Sequence, residues 1–238
     1  MTRTANVRAA TRKDPTVTTI AIVGAGPGLG AAVARRVGAE GFSIALVSRE
    51  QTRADQLAAA LAAEGLTARG YAANVRDTTA LTAALDRAGQ DLGTVEVLEY
   101  SPLPQKEFLR PVLETTPGDL QGAFEFSIAA PVAALHQVLQ GMRFLGRGTV
   151  LFVNGGSAVR PNPAFAGTSI AFAGESAYAQ MMHETLCPEN IHVAQLIVPG
   201  AIIAGDPRKD PAALAETLWR MHRERDGFRR YATEMDEA

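Results

Sequence analysis

The run of small residues from Gly24 to Gly30, with the sequence GAGPGLG, combines residue types and a spacing that suit phosphate binding. Gly24 supplies a tight turn, and small side chains let the backbone approach a pyrophosphate closely. Backbone amides at the start of a following helix then point toward the phosphate charge. The run therefore predicts a dinucleotide-binding loop with contacts from Gly24, Gly26, Gly28, Leu29 and Gly30. A glycine-rich turn that binds nothing is the alternative.

The residues after the next predicted strand, Ser48, Arg49 and Glu50, bear on which dinucleotide would bind. An acidic side chain at the end of that strand would accept hydrogen bonds from the ribose 2′-hydroxyl of NAD(H). Arg49 instead offers a planar cationic fork that suits a 2′-phosphate, and Arg53 lies one helical turn further along. The sequence thus favours NADP(H) over NAD(H), with contacts from Ser48 and Arg49. A helix cap or an ion pair with Glu50 is the alternative role of Arg49.

From Val17 onward, short apolar β-branched runs alternate with helical patterns. The first run, TTIAIVG, places the glycine loop between a strand and a helix, as a dinucleotide fingerprint requires. Six such units predict an α/β fold, namely a single-domain Rossmann-type doubly wound parallel sheet with helices on both faces. The predicted strands begin at Thr18, Ser43, Thr67, Thr94, Gly148 and Ile191.

Composition limits the classes of protein to which the chain can belong. The 238 residues carry 23 basic and 25 acidic side chains, a formal charge of −2, which argues against a nucleic-acid-binding protein. No unbroken apolar run of about 18 residues predicts a membrane span, and no apolar leader opens the chain. The single cysteine, Cys187, excludes an intrachain disulfide, and no metal site is predicted. We therefore expect a cytoplasmic protein with no membrane partner.

The N-terminus and the absence of a linker define the predicted domains. Residues 1–17 lack apolar periodicity and predict a flexible tail, with an organelle transit peptide as the less favoured alternative. Residues 18–238 show no shift in composition and predict one dinucleotide-binding domain that closes with an amphipathic helix. The basic run RMHRERDGFRRY (Arg220–Tyr231) predicts the solvent-exposed end of that helix, with a phosphate or nucleic-acid patch as the alternative.

Gly24, Gly28 and Gly30 fit the spacing GxxxGxG, and from about Thr18 to Leu218 the chain resembles the short-chain dehydrogenases/reductases. That family usually has threonine where this chain has Val23. The resemblance implies an NADP(H)-dependent oxidoreductase that acts on a carbonyl/alcohol pair.

Two further segments carry the resemblance. Asn74 and Val75 are similar to the Asp-Val pair after the third strand of the family, whose side chain meets the adenine. The segment PGAI, from Pro199 to Ile202, resembles the Pro-Gly turn that contacts the nicotinamide amide. The resemblance therefore implies cofactor contacts from Asn74, Val75, Pro199, Gly200 and Ile202.

The catalytic positions of the family are occupied by other residues. The family acts through an Asn-Ser-Tyr-Lys tetrad, in which tyrosine donates the proton and lysine lowers its pKa. Here the asparagine position falls on Ser127, the serine position on Gly155, and the Tyr-x-x-x-Lys pair on Thr168 and Phe172. The resemblance thus implies an atypical member that lacks all four catalytic side chains.

Four side chains are candidates to replace the missing groups: Ser127, Ser157, Thr168 and Tyr100. Neutral hydroxyls are poor general acids near pH 7, so an oxidoreductase that depends on them would be slow. The alternative is a non-redox member: a cofactor-binding or regulatory protein, or a fold reused for isomerisation or cyclisation. Both functions stay open at this point.

Two long predicted helices, over residues 119–142 and 165–186, are apolar on nearly every face. A helix that lacks a polar face is buried on more than one side. One side meets the sheet, so we expect the other to meet a second copy, most simply across a two-fold axis. The prediction is a homodimer or homotetramer. The resemblance implies that the same two helices form the interface.

The connection Ala201–Pro211, between the sixth strand and the last helix, is too short to close far over a ligand. The substrate pocket is therefore expected to be open, or covered by the C-terminal segment with Trp219, Phe228 and Tyr231. The sequence indicates no particular substrate.

Overall fold

The computed structural model describes residues 18–235, so the tail predicted over residues 1–17 lies outside the described part of the chain. The described residues form one seven-stranded parallel sheet in the order β3-β2-β1-β4-β5-β6-β7. All six predicted strands are present, and a seventh, which the sequence did not indicate, lies at the C-terminal edge. The strands are β1 (Thr19–Val23), β2 (Ser43–Ser48), β3 (Ala68–Ala72), β4 (Val95–Tyr100), β5 (Gly148–Gly155), β6 (Ile191–Val198) and β7 (Arg229–Tyr231).

Helices cover both faces of the sheet, as predicted. They are α1 (Leu29–Gly38), α2 (Gln51–Ala63), α3 (Thr78–Leu92), α4 (Pro117–Phe124), α5 (Ala130–Leu145), α6 (Ala166–Leu186) and α7 (Pro211–Glu224). One face packs α1, α2 and α7 around Ile22 and Leu46, and the other packs α3, α5 and α6 around Val23 and Leu98. Successive strand residues point to opposite faces, so strands covered on both sides read as unbroken apolar runs.

The sheet reverses its direction of winding between β1 and β4. Strand β1 pairs with β2 on one side and with β4 on the other, and the helices that follow β1 and β4 lie on opposite faces. The carboxyl ends of these two strands therefore leave a crevice, where ligands of doubly wound sheets bind.

The helix predicted over residues 119–142 consists of α4, a π-helical turn at Glu125–Ala129, and α5. Pro131 accounts for the wider turn, because it lacks the N–H that would donate to the Ser127 carbonyl in a regular α-helix. The π turn carries Ser127, one of the predicted site residues.

The same stretch, Pro117–Leu145, is the one helix in the described part of the chain with the length and mean hydropathy, 1.2, of a membrane span. Of its most apolar window, 56% is buried inside the protein. Packing on the sheet accounts for much of this apolar character.

The prediction of an exposed helix beyond Glu224 is wrong. Helix α7 ends there because Arg225 is left-handed, with φ 54°. The chain then turns, and β7 adds to the edge strand β6. Arg229 points inward and donates from Nε to Gln195 Oε1 at 2.8 Å. The acceptor lies 34 residues earlier in the chain. The basic composition of the run therefore predicted an exposed surface and gave no sign of this contact.

Candidate functional site

The glycine loop has two kinds of glycine. Gly24 has φ +94°, and a Cβ there would lie 2.4 Å from the Pro102 Cα, so only glycine fits. A Cβ on Gly30 would lie 3.0 Å from the Ala25 Cα, close to the limit of packing. At Gly26 and Gly28 nothing lies within 4 Å of such a Cβ. Gly24 and Gly30 therefore shape the turn, whereas Gly26 and Gly28 leave open space beside the backbone.

A cleft of about 680 Å³, here the glycine-loop cleft, opens at the carboxyl ends of β1, β2 and β3. It brings together six predicted cofactor residues, which are Gly24, Gly26, Ser48, Arg49, Asn74 and Val75. Leu29 and Gly30 are buried in the first turn of α1, and Gly28 precedes them as its N-cap. Pro199 and Gly200 line a second cleft, while Ile202 is 42% exposed on the loop beyond.

The two arginines of the glycine-loop cleft differ in their partners. Arg53 Nε lies 2.9 Å from Glu50 Oε2 and forms the ion pair on this rim. Arg49 is exposed, and among the described residues no acidic side chain pairs with it. Of these two cations, Arg49 is the one free to meet an anionic ligand.

We expect Gly24→Ala to destabilise the protein by about 2–4 kcal/mol, because the new Cβ meets backbone and the φ is unfavourable for alanine. Gly26→Ala is the matched control, since its Cβ enters open space and should leave the urea unfolding midpoint unchanged. Equal midpoints for the two variants would contradict the assignment of Gly24 to the turn.

A second cleft, of about 1140 Å³, lies at the carboxyl ends of β5 and β6 and is here the β5–β6 cleft. Thr168 and Phe172, on successive turns of α6, line its base together with Gly155. A Cβ on Gly155 would lie 3.9 Å from the Phe172 ring and 4.0 Å from Ser157 Oγ. The Ser157 hydroxyl therefore reaches the space that a side chain at Gly155 would occupy.

The base of the β5–β6 cleft offers hydroxyls and an aromatic ring. Thr168 is 4% exposed, and its Oγ1 donates to the Phe165 carbonyl at 3.1 Å. Phe172 packs with Ala158 and Ile197, so no ammonium stands at this position. Ser157 is thus the candidate hydroxyl with the best access to a ligand.

Tyr100 and Ser127 lie outside both clefts. Tyr100 is 1% exposed in the core, and its hydroxyl donates to the Phe126 carbonyl. Burial raises its pKa well above the usual value. Ser127 is 2% exposed on the π turn. The structure therefore does not bring these two candidates together with Ser157 and Thr168.

A buried carboxyl group, which sequence reasoning missed, lies behind the β5–β6 cleft. Glu175 is 1% exposed on α6, and its Oε1 accepts from Asn154 Nδ2 at 3.1 Å. Burial raises its pKa to about 8, against the opposing effects of Asn154 and Ser127. A lone charge inside the apolar run AFAGESAYAQMM was the available signal.

Polar side chains extend this cluster to the sheet edge. Asn154 Oδ1 accepts from Gln195 Nε2 at 2.8 Å, and Gln195 Oε1 accepts from Ser176 Oγ at 2.9 Å. Arg229 then donates to Ser176 Oγ at 2.7 Å. The cluster ties α6, β5, β6 and β7 together beneath the cleft.

The cleft is covered in part by the C-terminal segment, through residues other than the predicted aromatics. Trp219 and Phe228 pack in the core, whereas Thr233, Glu234 and Met235 line the cleft. The Met235 methyl lies 3.3 Å from where a Cβ on Gly156 would be. Pairing of β7 with β6 directs this segment across the opening.

Sequence comparisons match most of this chain to known proteins. The sequence model of the family described as short chain dehydrogenase matches residues 18–209. Human dehydrogenase/reductase SDR family member 4 is 27% identical over 193 residues, covering 81% of this chain and 69% of the relative. The 2,3-dihydro-2,3-dihydroxybenzoate dehydrogenase of Bacillus subtilis is 26% identical over 182 residues, or 76% of this chain and 68% of the relative.

Solved structures show the same architecture. A short-chain dehydrogenase from Rhodopseudomonas palustris matches with a TM-score of 0.80 at 27% identity, over 92% of this chain and 99% of that chain. The L-sorbose reductase of Gluconobacter frateurii, complexed with NADPH and L-sorbose, matches with a TM-score of 0.81 at 19% identity. That match covers 92% of this chain and 96% of that chain, and it shows the fold.

Proposed function

Because this chain belongs to the short-chain dehydrogenase/reductase family, we propose that it binds NADP(H) in the glycine-loop cleft and acts on a carbonyl/alcohol pair in the β5–β6 cleft. The exposed guanidinium of Arg49, unpaired among the described residues, is the observation that carries the choice of NADP(H). When bound, the nicotinamide supplies the hydride chemistry.

The residues of the glycine-loop cleft fit a phosphorylated dinucleotide. The space beside Gly26 and Gly28 leaves room for a pyrophosphate against the backbone. Asn74 would meet the adenine at the end of β3, and Pro199 would meet the nicotinamide amide at the end of β6. The fold shared with L-sorbose reductase, which was solved with NADPH, supports this proposal.

Arg49→Gln is expected to weaken NADPH binding about 10- to 100-fold, since hydrogen bonds to charged groups contribute roughly 1.5–3 kcal/mol. NADH binding should change little, because NADH lacks the 2′-phosphate. Arg53→Gln is the matched control, since Glu50 already holds that guanidinium. Calorimetric titration of both dinucleotides measures the effect, and an equal loss for NADPH and NADH would contradict it.

Ser157 is the side chain that we propose to hold the proton at the reacting oxygen. Its hydroxyl lies 4.0 Å from where a Cβ on Gly155 would be, and Thr168 would assist by fixing a water. An aliphatic hydroxyl is a weak acid near neutral pH, so turnover should be slow.

A non-redox function is the second candidate, and Phe172 is the observation that favours it. An apolar ring there removes the ammonium that would depress the pKa of a donor. A regulatory, isomerising or cyclising protein would keep the cofactor cradle without that donor. Robust reduction of simple ketones by the unmodified protein would exclude this alternative.

We further propose a homodimer or homotetramer through the outer faces of the helices predicted over residues 119–142 and 165–186. Apolar side chains are exposed on both: Phe124 is 56% exposed at the end of α4, and Ile170 and Met181 are 57% and 58% exposed on α6. A second copy would remove this surface from water.

Ile170→Glu combined with Met181→Glu is therefore expected to give a monomer at micromolar concentration. Association would bury two carboxylates of each copy without a cationic partner, which costs free energy. Ile203→Glu is the control, since Ile203 is 47% exposed on the loop after β6. Light scattering gives the masses. A monomeric unmodified protein would refute the proposal.

A further inference from the structure

We propose that the β5–β6 cleft takes a substrate that carries a carboxylate or phosphate group, held by Lys209 and Arg208. This inference rests on the proposed function for the identity of the cleft as a substrate site. It names the chemical class of the ligand, which the fold leaves open.

The position of the Lys209 side chain is the first observation. Lys209 is half-buried, and its Nζ lies 3.9 Å from where a Cβ on Gly200 would be. The ammonium thus lies over the Pro199–Gly200 turn. An anion bound above this turn would meet a positive charge that is already in place.

The loop between β6 and α7 holds Lys209 in this place. Asp206 Oδ1 accepts hydrogen bonds from the backbone amides of Arg208, at 2.9 Å, and Lys209, at 3.0 Å. The Lys209 carbonyl in turn accepts from the Ile203 amide at 3.1 Å. The backbone that presents both cations is therefore organised before a ligand arrives, which reduces the entropy lost on binding.

The charges that line the cleft favour an anion. They are the cations Arg160, Arg208 and Lys209 and the anions Asp206 and Glu234. Asp206 is directed at backbone amides of its own loop, and these hydrogen bonds lower its pKa. The charges of Lys209 and Arg208 also lower the pKa of Asp206, but within residues 18–235 neither cation forms a salt bridge within 4 Å of a carboxylate. Glu234 is exposed on the covering C-terminal segment.

The rest of the cleft suits the other end of such a ligand. Phe172 and Phe165 supply apolar walls, and Ser157 supplies a hydroxyl at the base. A ligand with its anionic group at Lys209 would place its remaining atoms toward these residues. The arrangement predicts a carbonyl compound with an acidic group a few bonds away from the carbonyl carbon.

Calorimetry with matched pairs of compounds tests the inference. The probes are 4-oxopentanoate against 2-pentanone and dihydroxyacetone phosphate against dihydroxyacetone, each with saturating NADPH. We expect each anion to bind at least about tenfold tighter than its neutral partner, and Lys209→Gln and Arg208→Gln each to remove about tenfold. Lys106→Gln, an exposed lysine outside the cleft, should leave the affinities unchanged. The anion that binds more tightly identifies the acidic group as a carboxylate or a phosphate.

Glu234→Gln should strengthen the binding of both anions, since it removes a carboxylate from the cleft. The same titrations are repeated with the Arg49→Gln variant and without any dinucleotide. They measure anion binding in the β5–β6 cleft independently of NADPH binding, on which the proposed function depends. Anion binding that persists there and depends on Lys209 supports the inference even if NADPH does not bind. Equal affinity for anion and neutral partner, or affinities insensitive to both Lys209→Gln and Arg208→Gln, would overturn it.

Discussion

Thr168→Tyr combined with Phe172→Lys is expected to raise NADPH-dependent ketone reduction by about 10²- to 10⁴-fold, the usual contribution of a positioned general acid. Both positions line the base of the β5–β6 cleft, one helical turn apart. Thr168→Tyr alone should have little effect, because its phenol would keep a pKa near 10. An ammonium on the next turn lowers that pKa and so improves the proton donor.

The matched control is Thr168→Phe combined with Phe172→Lys, which has the same ring without the phenolic hydroxyl. Phe172 packs against Ala158 and Ile197, so thermal unfolding must first show that both double variants fold. A rate for the phenol-bearing variant no higher than that of this control would contradict the assignment of Thr168 and Phe172 to the donor and ammonium positions.

Glu175→Gln and Glu99→Gln are each expected to stabilise the folded protein above pH 8, by on the order of 3–5 kcal/mol. Glu99 is 0% exposed, and neither of its oxygens makes a hydrogen bond of normal geometry. Burial raises the pKa of each carboxyl group to about 8. Deprotonation then places in the core a negative charge that has no cationic partner among the described residues, and glutamine avoids this charge.

The pH dependence follows from the same shifts. Between the unfolded value of 4.5 and the folded value of about 8, the folded state binds more protons than the unfolded state, so its stability falls as pH rises. Burial lowers the pKa values of His192 and His222 from 6.5 to about 4. The unfolded state therefore binds more protons between these two values, so these histidines increase stability with rising pH only up to about pH 6.5. The carboxyl effect is therefore isolated above pH 6.5.

Urea unfolding between pH 6.5 and 9 measures this dependence. The unmodified protein should lose stability across that range, and each glutamine variant should show a shallower loss. Glu184→Gln, on the exposed side of α6, should follow the unmodified protein. A pH profile unaffected by both Glu175→Gln and Glu99→Gln would show that these carboxyl groups do not titrate in the folded state as proposed.

The sequence by itself determined six of the seven strands, the glycine loop and the family. These features follow from local patterns. An apolar β-branched run such as β1 is typical of a strand covered on both faces. The loop after β1 needs glycine at position 24 because the turn there has a positive φ. The family resemblance, with spacing counted back from the sixth strand, pointed to Thr168 and Phe172, and the structure puts both at the base of one cleft.

Only the tertiary structure decided where individual side chains lie and which residues they contact. Tyr100 is a candidate site residue by sequence but packs in the core at the end of β4. Arg229 belongs to a basic run but donates a hydrogen bond to a buried glutamine on β6. Lys209 reaches over the Pro199–Gly200 turn because Asp206 folds its loop back on itself. Such positions depend on contacts between residues far apart in the chain, and the period of a local pattern carries no information about them.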